Sequence, residues 1–195
     1  RSAAATALGR FAVLAELQKL LPEDAKRVEE ALLSVIDDED ETLEVKRRSV
    51  EAVAPICVPR VNQVIQEAYR SHDLPMKASA VFAMGRNCQP RWLPTLLKEL
   101  ESSEPVLRYE AVVASGEMAT EAAAAVPRLI ALAHDQDTEV QMAALKALGQ
   151  IGGKEAKQAL RSFLKDKDER VQVLATQALE ELMVEEAPLN FNTLT

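Results

Sequence analysis

The stretch Val140-Gln-Met-Ala-Ala-Leu-Lys-Ala-Leu-Gly149 decides the fold of this chain. Its small residues recur at helical spacing with larger apolar residues between them, which is the pattern of a helix that packs closely on another helix. The pattern occurs six times along the 195 residues. The repeated segments stand 45, 31, 31, 33 and 31 positions apart and begin at Arg1, Lys46, Lys77, Arg108, Gln141 and Gln172. A period of about 31 residues predicts a solenoid, in which each unit buries its apolar side against its neighbours.

Each unit reads as two antiparallel helices. In the third unit, the pattern predicts a first helix from about Met76 to Arg86 and a second helix from Arg91 to Glu101. The break between them ends at Pro90, because proline starts a helix more readily than it continues one. We therefore predict an all-α, right-handed α-solenoid of stacked helix pairs, with units at residues 1–41, 42–73, 74–104, 105–137, 138–168 and 169–195.

The two end units depart from the pattern. In the first, the apolar pattern of Phe11–Leu21 predicts that the first helix continues to Leu21 and that Pro22 ends it. The face around Ala3, Ala4 and Ala7 is expected to pack on an upstream repeat of a longer protein, or on a second copy of the chain. In the last unit, Glu180 replaces the small residue and an acidic, proline-containing segment follows, which is typical of a solenoid cap.

The net charge, the hydropathy and the cysteines argue against a nucleic-acid-binding, membrane-spanning or disulfide-bonded protein. The net charge of −8 disfavours nucleic acid as a default partner, and no apolar run is long enough to cross a membrane. Cys57 and Cys88 hold equivalent places in consecutive units, where stacked helices lie about 8–10 Å apart, too far for a disulfide. We expect two reduced, partly buried thiols, as in a cytoplasmic protein.

The segment from Val140 to Gly152, with its following helix and the turn Asp166-Lys-Asp168, resembles a HEAT repeat. It is most similar to the short, alanine-rich variety named after the phycobilisome lyases. That resemblance implies binding of proteins along a groove lined by the second helices. Some members of the wider family attach bilins to phycobiliproteins, others hydroxylate a modified lysine with a di-iron centre held by His-Glu pairs, and others excise damaged DNA bases.

The residues favour a non-catalytic member of this group. The chain has two histidines, His72 and His134, and each is followed by Asp. They fall in different columns, meaning sets of equivalent positions in successive units, so a di-iron centre is not predicted. Two cysteines alone do not make a zinc site. Ser115 lies in a helix-packing column and is expected to be a small core residue. We predict no catalytic residue, no metal and no cofactor.

The second helices carry a local excess of positive charge. Over units two to five they hold nine basic and five acidic residues, an excess of four, although the whole chain has a charge of −8. This excess fits either a solvated helix surface or a groove for an acidic peptide. Nucleic acid is the less favoured partner, because few aromatic residues are available to stack on bases.

We therefore predict a non-catalytic scaffold that binds a protein on the concave face of the second helices. A bilin lyase, or a lyase-like chaperone for a biliprotein, is the alternative function. Trp92 is either a core residue or an anchor of the groove, and Tyr69 and Tyr109 are ambiguous in the same way. The predicted partner-binding residues, chosen by helical phase, are Arg60, Gln63, Arg91, Trp92, Lys98, Arg128, Gln158 and Arg161.

Overall fold

The computed structural model describes residues 1–186, and the side chains to residue 183. Within this range the chain forms α-helices and short 3₁₀ segments and no strand, so the predicted all-α solenoid is confirmed. The 3₁₀ segments Pro90–Trp92 and Ala119–Ala125 precede α6 and α8. The α-helices are α1 (Ser2–Glu16), α2 (Pro22–Asp37), α3 (Leu43–Val53), α4 (Pro59–Tyr69), α5 (Leu74–Asn87), α6 (Leu93–Glu99), α7 (Pro105–Glu117), α8 (Val126–Leu132), α9 (Thr138–Ile151), α10 (Gly153–Phe163) and α11 (Glu169–Glu186).

Two predicted helix boundaries were wrong. Helix α1 ends at Glu16 and not at Leu21, because Gln18 adopts a left-handed backbone with φ of 55° and the chain turns back to begin α2. The extra residues of the first unit therefore complete a helix pair. The second helix of the third unit begins as the 3₁₀ segment Pro90–Trp92, since Pro94 cannot donate the backbone hydrogen bond that a continuous α-helix requires there. Residues 187–195 of the predicted cap lie outside the described range.

Polar side chains hold the turns between units. In four successive turns a serine or aspartate oxygen accepts a hydrogen bond from the backbone N–H two residues later, and that later residue immediately precedes the next first helix. The distances are 3.1 Å for Ser71 and Asp73, 3.3 Å for Ser102 and Glu104, 2.8 Å for Asp135 and Asp137, and 2.9 Å for Asp166 and Asp168. These local bonds set the start of each unit independently of the others.

The helices that carry the repeated segments, α1, α3, α5, α7, α9 and α11, form one row, which we call the first helices. Each packs along the next one through small residues. A Cβ atom placed on Gly85 would lie 2.5 Å from the Cα atom of Ala114, so the two backbones are in direct contact. Ser115 is fully buried in the same row and donates to the carbonyl of Ala111 at 2.7 Å, which confirms its predicted core position.

The second helices, α2, α4, α6, α8 and α10, form the other row and are spaced more widely. They bury large side chains such as Leu96, Leu129 and Leu160 and pack mainly against the first helix of the following unit. Only α8 and α10 make more than marginal contact with each other. When two rows of a stack differ in spacing, the closer row lies on the inside of the curve. The concave face is therefore formed by the first helices, and its predicted assignment to the second helices was wrong.

None of the described helices combines the length and the hydropathy that crossing a membrane requires.

We expect Gly85→Ala to lower the free energy of unfolding by about 1–2 kcal/mol. The added methyl group meets backbone atoms that cannot yield, and this loss exceeds the gain of about 0.5–1 kcal/mol that alanine brings to a helix. Gly9→Ala is the matched control, because its Cβ atom would lie 3.2 Å from the Cα atom of Ala52, where a small shift suffices. Urea unfolding of both variants tests this. Equal midpoints for the two variants would contradict the proposed backbone contact.

Candidate functional site

The concave face presents four side-chain positions from each first helix. They are the second, third, sixth and tenth residues, counted from the start of each repeated segment, and they fall on one side of the helix. These positions line three adjoining depressions that run across α1, α3, α5, α7, α9 and α11. Two of the depressions share Arg48 and Glu51 at their border. The third shares no residue with them, but α7 lines it with Tyr109 and lines the central depression with Glu110, so the depressions adjoin along one concave surface.

The largest of these depressions, about 490 Å³, lies across α7, α9 and α11 and is called the C-terminal groove. Its apolar residues are Tyr109, Val113, Met142, Ala143 and Leu174. All five are partly exposed, and apart from Val113 they also pack against the buried core. Charged and polar residues border them, namely Glu117, Glu139, Lys146 and Gln150. An apolar depression with a polar border is typical of a surface that binds another molecule.

The other end of the concave face is charged. The depression across α1, α3 and α5, about 290 Å³, includes Arg10, Arg48, Glu51 and Arg86 beside the ring of Phe82. Arg48 forms an ion pair with Glu51 at 2.9 Å. The concave face thus changes from charged at its N-terminal end to apolar at its C-terminal end.

Glu110 lies between these two parts, in the central depression. Within the described part of the chain, its carboxylate makes no hydrogen bond and no ion pair. Burial and, to a smaller extent, the nearby carboxylates of Glu51 and Glu117 raise the pKa of Glu110 to about 7, while Arg47 opposes them. The concave face therefore carries an acid that changes its charge near neutral pH.

The predicted partner-binding residues lie on the second helices, or in the 3₁₀ segment just before α6. The second helices form the outer row of the stack. Several of these residues are paired with acids. Arg60 donates to Asp37 at 2.5 Å, and Arg128 donates to Glu101 at 2.5 Å. The side chain of Gln63 donates to Glu67 at 2.7 Å. These contacts neutralise part of the positive charge that the sequence suggested for a groove.

The remaining predicted residues do not form a groove either. Lys98 lies 3.8 Å from Glu99 and 5.9 Å from the centre of the Tyr69 ring. Gln158 and Arg161 are exposed on α10. Arg91 is exposed and stacks over the Trp92 ring at 5.0 Å. No depression that we describe on the concave face is lined by any of these residues.

Trp92 is a core residue, so its alternative assignment as a groove anchor was wrong. Its side chain is only 4% exposed, and its indole N–H donates to Oδ1 of Asn87 at 2.8 Å. The amide of Asn87 in turn donates to the carbonyl of Ala54 at 2.7 Å. Trp92 therefore joins the second and third units through a buried polar link.

The two tyrosines have different environments. The hydroxyl of Tyr69 is hydrogen-bonded to the buried carboxylate of Glu99, which also pairs with Lys77 at 3.2 Å. Burial and this carboxylate raise the pKa of Tyr69. Tyr109, by contrast, lines the C-terminal groove. Only the second tyrosine is available to a partner.

The histidines and cysteines do not converge. His72 and His134 are both exposed, and the His134 ring lies 4.9 Å from the ring of Phe163. Among the described residues, no group of three or more His, Cys, Asp or Glu side chains is arranged to hold a metal ion. Cys57 and Cys88 are free thiols, and both residues are more exposed than the sequence suggested.

The groove residues, apart from Tyr109, were not predicted, because the small residues of the first helices indicate packing and the basic residues of the second helices indicated a different face. The second position of the repeat reads Arg47, Ala78, Tyr109, Met142 and Val173, a change from charged to apolar along the chain. A column that varies in size and charge beside columns of alanine and glycine is the signal that would have indicated this surface.

The fold and the surface can now be compared with known proteins. Residues 93–180 match the HEAT repeat family. This match and the structural neighbours confirm the predicted resemblance to HEAT-type repeats. No curated protein matches the sequence of this chain.

Three solved structures illustrate the likeness. The complex of CpcE and CpcF of phycocyanin lyase from Nostoc sp. PCC7120 gives a TM-score of 0.62 at 20% identity, over 80% of this chain and 65% of that chain. A designed armadillo repeat protein in complex with the peptide (KR)4 gives 0.58 at 22% identity, over 92% of each chain. An engineered protein gives 0.57 at 21% identity, over 94% of this chain and 90% of that chain. At these identities the likeness concerns the fold alone.

We expect Glu110→Gln to be more stable than the wild type at pH 8 and equally stable near pH 4.5. A raised pKa means that the carboxylate ionises in the unfolded chain before it ionises in the folded one, so the folded state loses stability between about pH 4.5 and 7. The neutral amide avoids this loss, which we expect to be about 1–2 kcal/mol after allowance for its partial exposure to solvent. Urea unfolding across this pH range measures it. A difference in unfolding free energy between the two proteins that is the same at every pH would contradict the raised pKa.

Proposed function

We propose that the chain is a non-catalytic scaffold that binds a segment of a partner protein on the concave face formed by the first helices. The observation that carries this proposal is the C-terminal groove, with its five apolar residues on the open side of a stacked helix row. Apolar surface removed from water contributes roughly 25 cal/mol per Å², so a partner that covers these side chains gains binding energy there.

The rigidity of the scaffold supports the same proposal. The groove residues stand on helices whose backbones are fixed by close contacts, such as that of Gly85 with Ala114. Because the surface is already formed, its residues lose little conformational entropy when a partner binds. Binding on such a surface needs no rearrangement of the helices.

The structural neighbours also support this proposal. One designed armadillo repeat protein holds a peptide, and CpcE occurs in a complex with CpcF. Stacked helix pairs therefore serve as polypeptide-binding surfaces in proteins of similar fold. The partner of this chain is not defined by them, because they share only 20–22% of its sequence.

Two double variants distinguish binding on the concave face from binding on the second helices. Met142→Arg with Leu174→Arg places charges in the C-terminal groove, and Arg91→Glu with Arg161→Glu changes two exposed residues outside the concave face. We expect a partner captured from an extract of the source organism to be retained by the wild type and the outer-row variant and lost by the groove variant. Thermal unfolding confirms that all three proteins are folded.

The reverse result would return the binding face to the second helices, as the sequence suggested. If neither double variant reduces capture, both faces are excluded and the proposed function fails. Affinity for DNA or RNA that falls steeply with salt would instead indicate the nucleic-acid alternative.

The bilin lyase alternative rests on likeness of fold, and it remains a prediction. Coexpression with a biliprotein subunit and a bilin tests it, because absorbance that appears on the subunit would reveal attachment. A cytoplasmic location likewise remains a prediction, which rests on the two free thiols.

A further inference from the structure

Glu110 is a partly buried carboxylate at the centre of the concave face. The side chain is partly buried, yet within residues 1–183 its carboxylate accepts no hydrogen bond and pairs with no cation. A partly buried charge without a partner disfavours the ionised form of the group, which then binds a proton more readily. Such a group is available to pair with a cation that a partner supplies.

The charged groups on the elements around Glu110 are already engaged with one another. On α3, Arg47 donates to Glu44 at 2.8 Å, and Arg48 donates to Glu51 at 2.9 Å. Glu51 also accepts from Ser79 of α5 at 2.5 Å.

The other neighbouring charges are engaged as well, or lie towards the groove. Arg86 of α5 pairs with Glu117 of α7 at 3.4 Å. From α9, Lys146 and Glu139 border the C-terminal groove. No cation of the chain pairs with Glu110 in the described structure.

Glu110 also lies beside the apolar part of the concave face. On α7 it precedes Val113 by three residues and Glu117 by seven, so these side chains share one side of the helix. Tyr109, the preceding residue, lines the C-terminal groove with Val113. A single bound segment can therefore reach both the carboxylate and the groove.

We propose that the concave face binds a polypeptide segment that places a lysine or arginine against Glu110 and apolar side chains in the C-terminal groove. The inference rests on the function proposed above and specifies the chemistry of the partner. It reverses the predicted preference for an acidic peptide, because the free charge in the centre of the surface is negative and not positive.

Binding of this kind is coupled to pH. Because Glu110 is partly protonated near neutrality, a cation that pairs with it displaces the proton. The affinity is therefore expected to rise from about pH 6 to about pH 8. A purely apolar contact would show no such change.

The test is a selection of random peptides displayed on phage against the 195-residue chain. We expect the selected peptides to contain a basic residue flanked by apolar residues. One such peptide is then measured by calorimetry against the wild type, Glu110→Gln and the control Glu121→Gln, which alters an exposed acid outside the concave face. We expect about tenfold weaker binding to Glu110→Gln and no change for the control.

A second set of measurements separates pairing from damage to the fold. If the lysine of the peptide is replaced by glutamine, binding to the wild type is expected to weaken to the same extent, with no further loss on Glu110→Gln. The pH dependence is expected to disappear in that variant. Equal affinity of wild type and Glu110→Gln, selected peptides without a basic residue, or no selected peptide at all would each overturn the inference.

Failure of the inference and failure of the proposed function give different results. Peptides without a basic residue that are lost on Met142→Arg would leave the concave face as the binding surface and remove only the role of Glu110. Peptides that bind Met142→Arg as well as the wild type would count against the proposed function itself. Self-association of the chain that Met142→Arg abolishes would assign the surface to a second copy and overturn the inference.

Discussion

The close approach of the first helices is the constraint on which the rest of this structure depends. Backbones that meet through glycine and alanine, as Gly85 meets Ala114, bring one row of helices nearer together than the other. The second helices, which bury leucines, cannot approach each other as closely. The difference in spacing curves the stack, and the curve turns the unoccupied side of the first helices into a concave surface.

The sequence was sufficient to predict the repeat, the helix pairs and the small packing columns, because all three follow from periodicity along the chain. It was not sufficient to predict which row is concave, since curvature depends on the relative spacing of two rows and not on either row alone. Likewise, the basic residues of the second helices suggested a charged groove, but ion pairs such as Arg60 with Asp37 become visible only when neighbouring units are stacked. The end of α1 was missed because the turn at Gln18 has no glycine or proline to indicate it.

The properties of Glu110 could not be predicted from its position in the sequence either. It is one of 31 acidic residues, and nothing local distinguishes it from the others. Its raised pKa arises from burial and from carboxylates on α3 and α7, which the fold brings near it. The outcome for Trp92 is similar, because its hydrogen bond to Asn87 and the link to Ala54 depend on how two units meet.

The unequal spacing of the two rows also gives the molecule a direction-dependent stiffness. Tighter curling would press together backbones that already touch at Gly85 and Gly149, so steric repulsion opposes it strongly. Flattening requires that the inner helices separate slightly while the outer helices, which make little contact with one another, approach each other. The concave face can therefore open to fit a large partner more easily than it can close around a small one. The energy of bending rises steeply in one direction and gently in the other.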